Sequence, residues 1–331
     1  MRLPRKTVIF RLEHTLSNLL KGISLEDWVE HEVVKFLKSV GQDSPPVKLS
    51  RELRQARRII DVKYEPGAHP VWGRLAIGDT GFVAILSPTR EFEKGFWPQF
   101  ALAHEIAHTF FYDIRNWPPS RLTYLEPRNS DLEWLCDYFA KCLFIPAIWI
   151  RNYIRQYSQF DSYNYYFSIL DDLSRTFSVP WQLIAERVVE DLRLWKCIIL
   201  QFNASNKYDG ENIIWRLVWQ TYCKEEEVNL FIPIGRRTDQ GLMKFPRVEG
   251  KLSLLINECS QHIGMVTYRR SIKTDILNSK VTGNLGKYLS NKLNVKEVSA
   301  YVYYKSESQK ELYDYDSYPS KSLFICFPLS L

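Results

Sequence analysis

Two histidines stand four residues apart in AHEIAHTFF (103–111), with a glutamate directly after the first, in a chain that has only six histidines. On a helix, residues four apart project from one face, so His104 and His108 can offer two imidazole nitrogens to one metal ion. Glu105 is rotated by one residue and lies beside the ion, where it can take a proton from bound water. Two protein ligands do not make a working zinc site, so a third must come from elsewhere, and the next helical stretch supplies carboxylates. There Glu133 and Asp137 are again four apart. If the two helices pack together, Glu133 completes a His2Glu set, while Asp137 accepts the free imidazole N–H of a ligand histidine and fixes its tautomer. An open fourth position makes such a zinc site hydrolytic: the ion lowers the pKa of its water towards ~7 and polarises a carbonyl, and Glu105 shuttles the proton to the leaving amine. Manganese also suits a His2Glu set, because affinity order alone does not decide occupancy.

The elements that must position these residues are visible in the periodicity. FWPQFALAHEIAHTFFYD carries apolar residues at helical spacing and is expected to continue until NWPPS stops it at Pro118 and Pro119. SDLEWLCDYFAKCLFI predicts the second helix, opening on Ser130 or Asp131 as N-cap and ending near Pro146. A bare HExxH string arises by chance, but chance rarely supplies the apolar helix and the following ExxxD as well. His14, His31, His69 and His262 have no such company and are assigned to surface or satisfied core positions. Tyr112, Arg121 and Tyr124 follow the motif closely and are candidates for a transition-state hydrogen-bond donor.

Around this centre the text changes character several times. Residues 8–40 alternate apolar and charged positions at helical spacing until GQDSPP (41–46) breaks them, which predicts a helical lead-in over 1–50. Between Ile59 and Leu86, IIDVKY and FVAILS read as short strands separated by turn compositions, so a small sheet precedes the motif. The metal-binding domain is assigned to 51–155 and a helical segment to 156–194, within which LSRTFSVPWQLIAERVVE (173–190) reads as helix, turn, helix. From Lys196 the runs KCIILQF, IIWRLVW, VNLFIPIG, VSAYVYY and SLFICFPL are strand-like and LGKYLSNKL is helix-like, which predicts a separate α+β domain over 195–331.

Composition excludes some classes of function. With 45% hydrophobic and 25% charged residues the chain is an ordinary globular one, and 331 residues suffice for two or three domains. Of the net charge of +6, residues 1–60 carry +5. RELRQARR (51–58) suits an acidic partner or a phosphate backbone, yet a charged run is more often the solvated face of a helix. Arg236, Arg237, Arg269 and Arg270 are likewise assigned to solvated loops rather than to a phosphate site. Six scattered cysteines without a CxxC pair read as buried free thiols. No apolar stretch approaches the length of a membrane span, and the expectation is a cytoplasmic protein in a reducing compartment.

FALAHEIAHTFF followed by LEWLCDYFAKCLFIP resembles the ImmA/IrrE family of zinc metallopeptidases, with Glu133, Cys136, Asp137, Phe139, Ala140 and Pro146 at the positions of its second motif. LSRTFSVPWQLIAERV resembles the family's helix-turn-helix-like segment, and SYPSKSLFICFPL is similar to the closing strand of IrrE (PprI)-type stress-response regulators. The likeness covers about residues 55–190 well and 195–331 weakly, and does not reach 1–50; Lys141 and Pro180 depart from the family pattern without touching a proposed ligand. The resemblance implies an α+β protein with a zincin-like, gluzincin-type domain and a C-terminal GAF-like sensor domain. It implies His104, His108 and Glu133 as ligands, Glu105 as base and Asp137 behind a ligand histidine, in agreement with the spacing. It also implies selective cleavage of a helix-turn-helix repressor after stress or DNA damage, with a nucleic acid or small molecule as signal at the C-terminal domain and no membrane partner. The competing reading is a DNA- or signal-binding regulator with a structural metal. WQLIAERVVE is too apolar and acidic, with only Arg187, to read DNA well.

Overall fold

The computed structural model describes residues 5–65, 73–86, 96–122, 130–157, 166–209, 212–222, 236–237, 243–244, 256, 268–273, 297–305 and 322–328. It is a mixed α+β protein that divides into two units, Met1–Gln156 with Leu173–Pro180, and Tyr157–Asp172 with Trp181–Leu331.

The first unit opens with three helices, α1 (Arg5–Thr15), α2 (Ser17–Leu20) and α3 (Leu25–Ser39). Ser24 caps α3 by accepting from the Asp27 N–H at 3.1 Å, and Glu26 and Asp27 in the first turn oppose Lys38 in the last, as the helix dipole favours. Its apolar stripe, Leu25, Trp28, Val29, Val33, Phe36 and Leu37, is buried. A short helix α4 (Arg51–Ala56), capped by Ser50, leads into a three-stranded sheet of β1 (Ile59–Tyr64), β2 (Gly73–Ile77) and β3 (Phe82–Leu86). The strand order is β1-β3-β2, with β1 parallel and β2 antiparallel to β3.

Two helices carry the motifs. In α5 (Trp97–His108) apolar residues occur on all sides, as suits a helix enclosed in a core, and α6 (Ser130–Phe144) buries Leu132, Leu135, Cys136, Phe139, Ala140 and Leu143. They pack against one another; α5 also meets β2 and β3, and α6 also meets α3. Trp28, Phe36, Phe110, Phe111 and Phe139 form the aromatic centre of this core, the Phe110 and Phe139 rings lying 4.4 Å apart. The lead-in helices thus belong to the same unit as the motif.

The motif helix is shorter than its periodicity predicts. It ends at His108, followed by a 3-10 turn Thr109–Phe111 and a two-residue ladder of β4 (Tyr112–Asp113) with β5 (Ser120–Arg121). A residue of the basic run 51–58 meets this end. Arg57 donates from Nη2 to the Thr109 carbonyl at 2.5 Å and from Nε to Thr109 Oγ1 at 3.0 Å, with its guanidinium carbon 4.0 Å from the Phe110 ring centroid. The guanidinium shares that carbonyl with the Tyr112 N–H of the 3-10 turn and so ties this end of the helix to the segment before the sheet. Arg57 is therefore not part of a solvated face.

After α6 and Pro146, Glu30 accepts from the Ala147 N–H at 3.0 Å and caps α7 (Ala147–Gln156). Next come α8 (Tyr166–Phe177), a turn at Ser178 with φ of 54°, α9 (Trp181–Glu186) and one π-helical turn, Arg187–Asp191. The second unit continues as β6 (Cys197–Asp209), β7 (Asn212–Tyr222), β8 (Arg236–Arg237), β9 (Met243–Lys244), β10 (Tyr268–Lys273), β11 (Glu297–Lys305) and β12 (Ser322–Pro328). Five strands form an antiparallel sheet in the order β10-β11-β12-β6-β7, in which Cys326 pairs with both Ile199 and Tyr301. KCIILQF, IIWRLVW, VSAYVYY and SLFICFPL supply four of these strands, while VNLFIPIG and LGKYLSNKL lie outside the described residues. Arg236, Arg237, Arg269 and Arg270 lie on short strands rather than loops. Cys136, Cys142, Cys197 and Cys326 are buried thiols in no disulfide; Cys223 and Cys259 lie outside the described residues.

Candidate metal centre

Packing of α5 on α6 brings the two sequence motifs to one point. His104 and His108 face each other with their Nε2 atoms 3.2 Å apart. The Glu133 carboxylate reaches both, Oε2 lying 3.1 Å from His104 Nε2 and Oε1 3.5 Å from His108 Nε2. On the other side of the His104 ring, Nδ1 is 2.8 Å from Asp137 Oδ1. The histidine side chains are 12% and 13% exposed against 28% for Glu133 and 54% for Asp137, so the cluster is sunk but open on its carboxylate side.

Glu105 sits under this cluster, 2% exposed, and its Oε2 has no hydrogen-bond partner. Its other oxygen presses on the first residue of β2: a Cβ built on Gly73 would stand 2.7 Å from Glu105 Oε1. Only a glycine leaves room there. Burial pushes the Glu105 carboxyl up to about 7, with His104 pulling it down and Glu133 pushing it further up. Burial disfavours charge on His104, but hydrogen bonds to Asp137 and Glu133 outweigh it and raise the imidazole to about 10. His108, buried beside it and repelled by its charge, falls to about 4.

This donor set fits a divalent cation. If His104 gives its Nδ1–H to Asp137, a neutral ring presents only a lone pair at Nε2, which then faces a carboxylate oxygen and a second imidazole nitrogen. With both rings neutral and unprotonated at Nε2, the state a bound cation selects, acceptors converge with no donor between them, beside a buried Glu105 Oε2 that has no hydrogen-bond partner. A cation held by all three groups satisfies them together, and Asp137 acts by orienting the ring rather than by ligation.

The spacing argument did not assign Cys136 to this cluster. One ring nitrogen of each histidine and the Cys136 sulfur lie within 4.8 Å of one another, close enough for one ion. The signal was available, since Cys136 follows Glu133 by three residues and shares its helix face, but a cysteine in an apolar run also reads as a packed thiol. Burial, then the charges of Glu133, Glu105 and Asp137, hold that thiol well above its usual value. Of the candidate transition-state donors, Tyr112 packs its ring 5.3 Å from Phe82, Arg121 is exposed on β5, and Tyr124 lies outside the described residues. His14 and His31 are exposed on α1 and α3, and His69 and His262 lie outside the described residues.

Comparisons with known proteins give the following. No family model matches the chain, and no curated protein matches it. Among solved structures it is similar to a transcriptional regulator of Mycobacterium tuberculosis, at 11% identity and a TM-score of 0.44, over 97% of this chain and 81% of that one. No helix among the described residues is long and apolar enough to cross a membrane.

Proposed function

We propose that this chain is a zinc-dependent endopeptidase of the ImmA/IrrE type, with His104, His108 and Glu133 as ligands, Glu105 as the proton-transferring base and Asp137 orienting His104. The observation that carries the reading is the buried Glu105 beside the histidine pair, its Oε2 without a hydrogen-bond partner: a purely structural site has no use for it. Bound there, zinc would supply Lewis acidity, polarising a scissile carbonyl and making water a better nucleophile. Glu105 takes the proton of the attacking water and delivers it to the departing amine.

The sheet offers a track for the substrate. Among the described residues no strand pairs with the outer side of β2, and Gly73, its first residue, touches Glu105. An extended peptide added to that edge runs its backbone past the base. The ImmA/IrrE likeness supplies the substrate class, a helix-turn-helix repressor, and the sensor role of the GAF-like C-terminal domain. The test is co-incubation with a small helix-turn-helix repressor. Wild type cleaves it, and Glu105→Gln, which keeps size and loses basicity, slows cleavage at least ~100-fold while retaining metal. Unchanged cleavage by Glu105→Gln removes Glu105 from the chemistry.

The competing reading, a regulator with a structural metal, draws on Cys136, since a fourth protein donor closes a site. Its DNA-reading helix is not favoured. Trp181, Leu183, Ile184 and Ala185 of α9 are buried and so is Arg187, ion-paired with Asp191 at 3.5 Å, which leaves no cation on that helix to meet a phosphate or a base.

A further inference from the structure

Cys136 is fully buried, one turn beyond Glu133 on α6, with its sulfur within 4.8 Å of a nitrogen on each histidine. A helix places residues i and i+3 on one face, so Cys136 and Glu133 both lie on the side of α6 that meets the two histidines. A second observation points into the same spot: the Glu105 Oε2 atom is buried and unpartnered. The sulfur thus adjoins two imidazole nitrogens that themselves face one another at 3.2 Å.

We propose that Cys136 is a fourth protein donor to the cation held by His104, His108 and Glu133, giving a closed His2GluCys form of the centre in addition to the open His2Glu form. The inference rests on the metal-site reading above and adds a donor to it. With the thiolate bound, a fourth protein group occupies a position that is otherwise open to water. The thiol loses its proton to solvent as the sulfur binds, one proton per closed centre, and no electron moves. Sulfur also sets the metal: thiolate favours zinc, cobalt and cadmium over manganese, whereas His2Glu alone discriminates less.

The test uses the full chain loaded with cobalt, and separately with zinc. Wild type and Cys136→Ser should each bind about one ion per chain, with an intense near-ultraviolet sulfur-to-cobalt absorption in wild type alone. Zinc-edge X-ray absorption of the wild type, which needs no variant, should show one sulfur scatterer at about 2.3 Å. Preference for cadmium over manganese should fall at least ~10-fold in Cys136→Ser. One ion bound with no sulfur signal overturns the thiolate donor and leaves the His2Glu centre standing. A sulfur signal that survives in Cys136→Ser assigns the donor to another cysteine and overturns it equally. Failure of the wild type to bind any ion overturns both readings.

Discussion

His104 is the residue at which the chemistry is most constrained. Without metal, a proton must fill the space between its Nε2 and the Glu133 carboxylate, and the hydrogen bonds to Asp137 and Glu133, winning over burial, raise its pKa to about 10. The folded state therefore holds a proton that an unfolded histidine has already lost. Its stabilising contribution is complete below the ordinary histidine value and disappears as pH rises through about 10. His108, lowered to about 4 by burial and by the charge of His104, acts in the opposite sense: stability is lost as pH falls from the ordinary histidine value through 4. Glu105, raised to about 7 chiefly by burial, loses stability as pH rises from the ordinary carboxylate value through 7, which offsets much of the His108 effect in the acid range. What remains is the alkaline limb of His104. Chelator-treated protein should thus melt at a lower temperature at about pH 9 than at about pH 7, and the zinc-loaded protein should show a smaller difference. An alkaline limb unchanged by zinc contradicts ligation through His104. Because the ion displaces the His104 proton, affinity should rise about tenfold per pH unit for each proton released, read by calorimetry in buffers of differing ionisation enthalpy. Zero protons released at neutral pH contradicts the assignment.

Helix and strand ends decide where those side chains point. Arg57 reaches across 52 residues to hold Thr109, the residue after His108, so the end of α5 depends on a side chain from before the sheet. Arg57→Ala removes two hydrogen bonds from a charged donor and should cost roughly 2–4 kcal/mol, measured by chemical denaturation. A loss within ~0.5 kcal/mol would make the contact incidental. At the other face of α5, Gly73→Ala pushes a methyl into Glu105 and into Leu86, whose Cδ2 would stand 3.0 Å away. We expect a cost of about 1–3 kcal/mol and a loss of cleavage far larger than any loss of metal, since the base shifts while the ligands stay. Equal losses of both would place the strain on the ligand helix instead. These contacts explain what was legible in the sequence. Four-residue spacing is local, so His104 with His108 and Glu133 with Asp137 could be paired by eye. The contact of Arg57 with the end of α5 could not, nor could the β1-β3-β2 order, because both are non-local. The strand YRRSIK went unread because its basic residues mask its β character.

The chain divides into a unit that carries the His104, His108 and Glu133 cluster and a second unit built around the β10-β11-β12-β6-β7 sheet. The fold class was legible from the shift to strand-like runs after Lys196, although the first unit also takes Leu173–Pro180, which no composition change marks. If the second unit senses a signal, it biases a shut and an open state, which requires a coupling of roughly 1–3 kcal/mol between signal and metal centre. The intact chain should then cleave its repressor slowly until single-stranded or damaged nucleic acid, or another ligand, is added. Substitutions within 195–331 should change that response and leave metal content intact. Activity constant across signals removes the sensor role. The central claim is more direct, that two helices from one unit present His104, His108 and Glu133 to a single ion beside a catalytic Glu105. Metal content per chain, measured by plasma mass spectrometry on purified full-length protein, tests it. Wild type and Glu105→Gln should hold about one zinc each, His108→Ala should lose it, and so should Glu133→Ala combined with Cys136→Ser, which leaves only the two histidines; a metal-free wild type, or full retention in that double variant, contradicts the account.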